Sequence, residues 1–169
     1  MADKLMVVAH PDDELLFGGG ELIKETGWKV ICVTNGENAQ RAKEFHHVMD
    51  KVKAEYEIWD FIDEWNGDFD RNLLSQKLKQ VLEGNNYRKI VTHNLKGEYG
   101  HTQHIALSQI LHGLVKENLY VFGIGDQKLP TDIYTRKLQL LHHYSLFRLQ
   151  KDYFLTLKEL EYEQFKKVS

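Results

Sequence analysis

The sequence predicts an α/β fold, a Rossmann-like three-layer sandwich with a mostly parallel sheet, built as one domain over residues 1–169. Three observations predict it. Short apolar runs alternate along the chain with longer segments of helical period. The connections between successive runs are long enough to hold a helix, which parallel pairing requires and a hairpin does not. The first run, Leu5-Met6-Val7-Val8-Ala9, is apolar on both faces, as in a strand covered on both sides. Right-handed crossovers then place helices on both faces of the sheet.

The elements follow in order. Pro11 lacks an N–H and biases His10 towards extended backbone, so the first strand ends there. A first helix closes over Glu21 to Thr26, with Gly27 as its terminating residue. Its Gly18-Gly19-Gly20 run has neither the Rossmann fingerprint nor a P-loop lysine and reads as close packing. Trp28 to Thr34 is a second strand, and Asn35 to Asn38 has turn chemistry. Ala39 to Glu55 reads as a long helix, with Phe45, Val48, Met49 and Val52 at helical spacing. Tyr56 to Asp60 is a third strand, and Phe61 to Asp70 a polar, aromatic loop. Asn72 to Leu82 is a helix whose inner face carries Leu73, Leu74, Leu78, Val81 and Leu82. Lys89 to Thr92 is a fourth strand, His93 to Gly100 a loop and His101 to Lys116 a helix. Leu119 to Gly123 is a fifth strand, and Thr131 to Leu149 and Tyr153 to Lys166 read as two closing helices.

Composition narrows the function classes. With 42% hydrophobic and 28% charged residues, the chain is ordinary for a soluble globular protein. A net charge of −3 without a basic face excludes nucleic acid as a partner, since phosphate binding needs clustered Lys and Arg. No leader peptide is expected, and no stretch approaches the ~20 apolar residues of a membrane span. The single cysteine, Cys32, lies in an apolar run and reads as a packing residue in a reducing, cytoplasmic setting. A homo-oligomer is compatible with all of this.

Chemistry concentrates in two places. His10-Pro11-Asp12-Asp13-Glu14 follows the first strand, at the sheet edge where open α/β folds bind ligands. Histidine with aspartate suits zinc or a similar divalent ion. An acidic turn capping a helix is the simpler reading of one such carboxylate; three behind a His and a Pro favour a site. The second place is Thr92-His93-Asn94-Leu95-Lys96-Gly97-Glu98-Tyr99-Gly100-His101-Thr102-Gln103-His104, after the fourth strand. If strand order reverses beside the first strand, the first and fourth strands are neighbours and the two stretches meet. His101 and His104 are one helical turn apart and can face the same point.

Ala9-His10-Pro11-Asp12-Asp13-Glu14, paired with His101-Thr102-Gln103-His104, resembles the two signatures of the LmbE/PIG-L deacetylases, zinc enzymes that remove N-acetyl groups from amino sugars. The resemblance spans residues 5 to about 145. It implies that His10, Asp13 and His104 bind Zn2+, a site that Fe2+ could also occupy. It implies Asp12 as general base, His101 as the group that stabilises the oxyanion or protonates the leaving amine, and Tyr99 as an aid to the oxyanion. The implied substrate is a small N-acetylglucosamine-type sugar conjugate. The chemistry is coherent: zinc brings water's pKa to ~7, a carboxylate takes the proton, and an oxyanion donor contributes ~3 kcal/mol.

The substrate side is less sharply marked. Arg41 corresponds to a family arginine that reaches sugar hydroxyls, or it is simply solvated. Glu14 is assigned beside it as a substrate contact, and Asp68 either meets substrate hydroxyls or caps the following helix. His142 and His143 fall in a segment loosely similar to the family's last motif, which would let one of them line the pocket. His46 and His47 read as surface or packing residues. One departure stands out: the family's second motif often reads His-Pro-Asp-His, and Gln103 can hydrogen-bond a ligand imidazole without offering it a charge.

Two other classes fit part of the pattern. Asp12, Asp13, Asp60, Thr92 and Lys128 also trace a phospho-receiver-like module using magnesium, which leaves His10, His101 and His104 unused. A two-metal phosphoester hydrolase would need a second full ligand set, and none is visible.

Overall fold

The computed structural model describes residues 1–169. In chain order the elements are β1 (Lys4–Val8), α1 (Asp13–Lys24), β2 (Trp28–Thr34), α2 (Ala39–Val52), β3 (Glu55–Phe61), α3 (Arg71–Glu83) and β4 (Lys89–Thr92). Then come a one-turn α4 (Gly97–Gly100), α5 (Thr102–Leu114), β5 (Leu119–Ile124), α6 (Thr131–Leu141), α7 (Ser145–Leu149), α8 (Lys151–Phe154), α9 (Lys158–Glu161) and β6 (Glu163–Lys167). The six strands form one sheet in the order β3-β2-β1-β4-β5-β6. The first five are parallel, and β6 runs antiparallel to β5.

Alternation along β1 builds both faces. Met6 and Val8 point into one core with Phe45, Val48 and Met49 of α2 and Leu140 and Leu141 of α6. Leu5, Val7 and Ala9 point into the other, with Leu74 and Leu78 of α3 and Ala106, Leu107 and Leu111 of α5. All five are fully buried, as an apolar run without polar alternation requires. At Gly18 α1 packs closely over β1, where a Cβ would come 2.7 Å from the mobile end of the Met6 side chain. The helix in this region spans Asp13–Lys24 and is followed by Gly27 at φ 83°.

Several element limits differ from the sequence expectation. The long helix stops at Val52 because Lys53 turns left-handed, φ 58°, and releases Glu55 into β3. In α3 Leu74 and Leu78 are buried and Val81 and Leu82 pack partly buried against the same core, whereas Leu73 is 53% exposed because it lies outside the stripe those four positions share. The helix expected over Thr131 to Leu149 breaks after Leu141 and restarts at Ser145. The helix expected over Tyr153 to Lys166 is instead α8, α9 and the strand β6. Phe165 turns inward against Phe122 and Trp28, while Lys166 and Lys167 guard the exposed sheet edge.

Sheet order overturns the phospho-receiver alternative. That fold places its third strand beside the first, in the order 2-1-3-4-5. Here β2 separates β3 from β1, so Asp60 lies at the sheet edge beside an open groove with Phe61, Leu73 and Lys77. Lys128 is exposed and pairs with Glu161, and the Thr92 hydroxyl donates to Val7 O.

Candidate metal centre and active site

The strand order reverses between β1 and β4, and the chemistry sits in the crevice past their C-terminal ends. From β1 comes the His10–Glu14 turn, and from β4 the loop leading into α5. His101 is the N-cap of α5, so His104 sits in its first turn and faces back over β1.

Three acceptor atoms converge there. His10 Nδ1 and His104 Nε2 lie 3.2 Å apart. Asp13 Oδ2 is 3.3 Å from the first and 3.1 Å from the second. Zinc–nitrogen bonds of ~2.0–2.1 Å in a tetrahedron separate donor atoms by about 3.3–3.4 Å. The opposite ring nitrogens are already engaged: His10 Nε2 lies 2.8 Å from Gln103 Oε1, and His104 Nδ1 lies 2.8 Å from Glu98 Oε1. Those oxygens only accept, so each imidazole carries its proton on the outer nitrogen and turns a lone pair inward. Two lone pairs and a carboxylate oxygen facing one another fit a bound cation.

Without a cation, protons reconcile this triangle. Burial resists charging His10, but its hydrogen bonds to the Asp13 and Asp63 carboxylates outweigh that and hold its pKa up at about 10. Asp13 moves the opposite way: burial raises it, and the His104 and His10 rings beside it pull it well below the usual carboxylate range. His93 and His101 also lie close enough to belong to three-residue ligand sets. Both are otherwise occupied, His93 Nε2 accepting the Ala9 N–H at 3.0 Å and His101 Nδ1 accepting the Gln103 N–H at 3.2 Å.

Asp12 is set apart from Asp13 by its backbone. It adopts φ 113°, a left-handed conformation rare outside glycine, and its Oδ2 is buried without a hydrogen-bond partner. Burial and the Asp13 charge push its pKa well up. His101 is held neutral, its pKa lowered to about 4 by burial and by the neighbouring His10 and His104. Since its Nδ1 accepts, its Nε2 carries the proton and is a donor. Burial, then the Asp13 and Asp12 charges, raise the Tyr99 phenol, so it too remains a donor.

These groups open into a cavity of about 330 Å³ lined by His10, Asp12, Asp13, Arg41, Asp63 and Tyr99 among others. Trp65, from the loop after β3, Leu146 of α7, Tyr153 and Phe154 of α8, and Gln150 between those two helices complete its walls. Arg41 is partly buried and held in place: it donates to Asp63 Oδ2 at 2.9 Å and to Pro11 O at 3.1 Å. Glu14 lies outside the cavity. It is fully buried, accepts the Tyr144 hydroxyl and the Asp12 N–H, and its pKa is raised by burial to about 7. Asp68 also lies outside, bonded to Phe69 N and Arg71, and the cap of α3 is Asp70. His142 bonds its own helix at Leu138 O and His143 packs on His47, so neither lines the cavity.

Asp63, Glu98, His93, Trp65 and Tyr153 have no assigned role in the sequence reading. The available signal was weak: Glu98 is a lone acid between two glycines just before α5, and Asp63 sits among seven other polar or aromatic residues of the Phe61–Asp70 loop.

Comparisons with known proteins bear on the family and the fold. The family model described as GlcNAc-PI de-N-acetylase, PIG-L, matches residues 5–115. An uncharacterised protein of Acanthamoeba polyphaga mimivirus is 38% identical over 170 residues, covering 90% of this chain and 76% of the relative. N,N'-diacetylchitobiose deacetylase from Pyrococcus horikoshii superposes with a TM-score of 0.69 at 12% identity, over 98% of this chain and 84% of that one. The 4-carboxy-2-hydroxymuconate hydratase from Pseudomonas putida gives 0.67 at 17% identity, over 100% and 98%. Such distant likenesses speak to the fold alone, and these two carry different chemistries on it. The family model covers both the turn after β1 and the start of α5, the two stretches that build the candidate metal centre, and the chain belongs to the PIG-L family of GlcNAc-PI de-N-acetylases.

Proposed function

We propose that this protein is a zinc-dependent de-N-acetylase that hydrolyses the N-acetyl group of an N-acetylglucosamine-type sugar conjugate. The observation that carries the reading is the inward convergence of His10 Nδ1, His104 Nε2 and Asp13 Oδ2, with both imidazole tautomers set from outside. His10, Asp13 and His104 would hold the ion. When bound, a zinc ion supplies Lewis acidity and brings the pKa of water to ~7; iron(II) suits the same donors.

The remaining steps belong to side chains. Asp12, with an unpartnered oxygen and a raised pKa, is the base that accepts the proton of the attacking water. His101, neutral and donating from Nε2, meets the oxygen of the scissile amide as it gains charge. Tyr99 offers a phenol proton on the same side. Arg41, locked by Asp63 and Pro11, presents its remaining N–H groups to ring hydroxyls, and Trp65 and Tyr153 offer aromatic faces to the sugar or its substituent. The cavity volume suits a small molecule.

The test is a panel of N-acetyl amino sugar conjugates incubated with zinc-loaded protein, with released acetate and free amine quantified. Release of both in equal amounts from at least one compound is expected. A protein that binds zinc stoichiometrically and frees acetate from none of them would refute the reading.

A further inference from the structure

Behind His104 lies a buried carboxylate that the reaction does not use. The Glu98 side chain is fully buried, and its ion-pair partners are two imidazoles. Oε1 lies 2.8 Å from His104 Nδ1 and 2.6 Å from His93 Nδ1, and Oε2 accepts the Asn94 N–H at 2.8 Å. No lysine or arginine neutralises it. Burying a carboxylate is costly unless its lone pairs are met, and here ring and backbone N–H groups meet them. The backbone is bent to deliver it: Glu98 has φ 58° between Gly97 and Gly100, both also at positive φ.

The network continues to the first motif. His93 gives its Nδ1 proton to Glu98 and accepts the Ala9 N–H on Nε2, immediately before His10. Its ring stacks on His104 with centroids 3.8 Å apart and planes 17° apart. His104 is therefore fixed by its far nitrogen and by one ring face, and the same assembly grips the backbone at the end of β1.

We propose that Glu98 is a positioning residue that holds His104 as an Nε2 metal donor, with His93 as the brace tying that carboxylate to the His10 turn. A negative charge on the far N–H of a ligating imidazole makes the inner nitrogen a better donor and stops the ring from rotating. One carboxylate oxygen accepts from both rings, so either ring must give up its own bond to Glu98 in order to turn. The inference rests on the metal-centre reading above.

The experiment is competition of metal-free protein against a chelator for Zn2+, comparing wild type, Glu98→Gln and His93→Phe. Glu98→Gln keeps the shape and removes the charge, and it should bind zinc roughly 10- to 100-fold more weakly. His93→Phe keeps the stacked ring and removes both hydrogen bonds, and it should weaken binding by a smaller factor. With Co2+ in place of Zn2+, the visible absorption bands of Glu98→Gln should shift, which a purely structural role would not produce. A folded Glu98→Gln variant with wild-type zinc affinity and cobalt spectrum overturns the proposal while leaving the metal centre standing. A wild-type protein that takes up no zinc overturns both. If Glu98→Gln does not fold, ring nitrogen NMR of zinc-loaded wild type decides: Nδ1–H on His104 is expected, and a proton on Nε2 overturns the assignment.

Discussion

The Glu14 carboxylate accepts the backbone N–H of Asp12 at 3.0 Å, and that bond closes the turn in which Asp12 is left-handed. The turn sends two adjacent aspartates to different work. Asp13 points at His10 and His104, whereas Asp12 keeps an oxygen free of any partner. Replacing Asp12 with Asn preserves shape and tolerance of positive φ but removes the proton acceptor. Asp12→Asn should retain zinc and lose roughly 10²- to 10⁴-fold in turnover. Zinc stoichiometry and acetate release on one preparation check this; loss of zinc instead would exchange the roles of the two aspartates.

Metal uptake should be a proton-releasing event. In the metal-free protein the His10 pKa stands at about 10, because its bonds to Asp13 and Asp63 outweigh burial. A metal ligand must be deprotonated. Below that pKa the proton must leave, so affinity should rise with pH through the neutral range. Calorimetry of zinc binding in buffers of different ionisation enthalpy should show release of at least one proton per zinc. No release would mean that His10 is not a donor. His104→Ala, missing one of three protein ligands, should lose most of its zinc.

His101 should matter for turnover and not for metal content. Its pKa, lowered to about 4 by burial and the neighbouring rings, leaves it neutral through working pH, and a bound cation would push it the same way. His101→Ala should keep zinc and lose roughly 10²-fold or more in kcat. The wild-type pH–rate profile should show no limb from this residue between about pH 5 and 8. A limb near neutrality that vanishes in His101→Ala would show that the charged ring acts as the acid.

Away from the site, the stability of the α1–α6 face depends on one buried ion pair. Lys137 is fully buried, with Nζ 2.7 Å from both Glu163 Oε1 and Leu160 O. Lys137→Met leaves Glu163 charged and buried, and should cost about 3–5 kcal/mol in chemical denaturation. Adding Glu163→Gln to that variant should recover part of the loss. A Lys137→Met protein within ~0.5 kcal/mol of wild type would mean that water reaches the carboxylate.

The parallel core was legible because Leu5–Ala9 has no polar alternation, and the candidate site because His10, Asp12 and Asp13 come straight after that run. What escaped depends on contacts made only after the chain closes. The grouping of Leu73 with the inner face of α3 is the exception, since its helical neighbours Gln76, Lys77 and Gln80 are polar and the apolar stripe runs through Leu74, Leu78, Val81 and Leu82. The sequence Glu163-Gln164-Phe165-Lys166-Lys167 is too short and charged to distinguish an edge strand from a helix end. Arg41 looked like a surface residue because its partners, Asp63 and Pro11, lie on two other segments. Gln103 is an uncharged neighbour for His10, as its chemistry implied, but Asp63 sits 3.3 Å from the same nitrogen and brings the charge from another loop.

The antiparallel strand β6 bears on how the chain matures during synthesis. Its pairing with β5 spans residues 163–167, and its first residue is the partner of Lys137. Until that stretch has left the ribosome, β5 is an open edge and Lys137 has no counter-ion to carry into the core. All of the residues that build the metal triangle will by then have emerged, the last of them being His104. The nascent protein can therefore pair β1 with β4 and bring His10, Asp13 and His104 together well before β6 closes the far edge of the sheet.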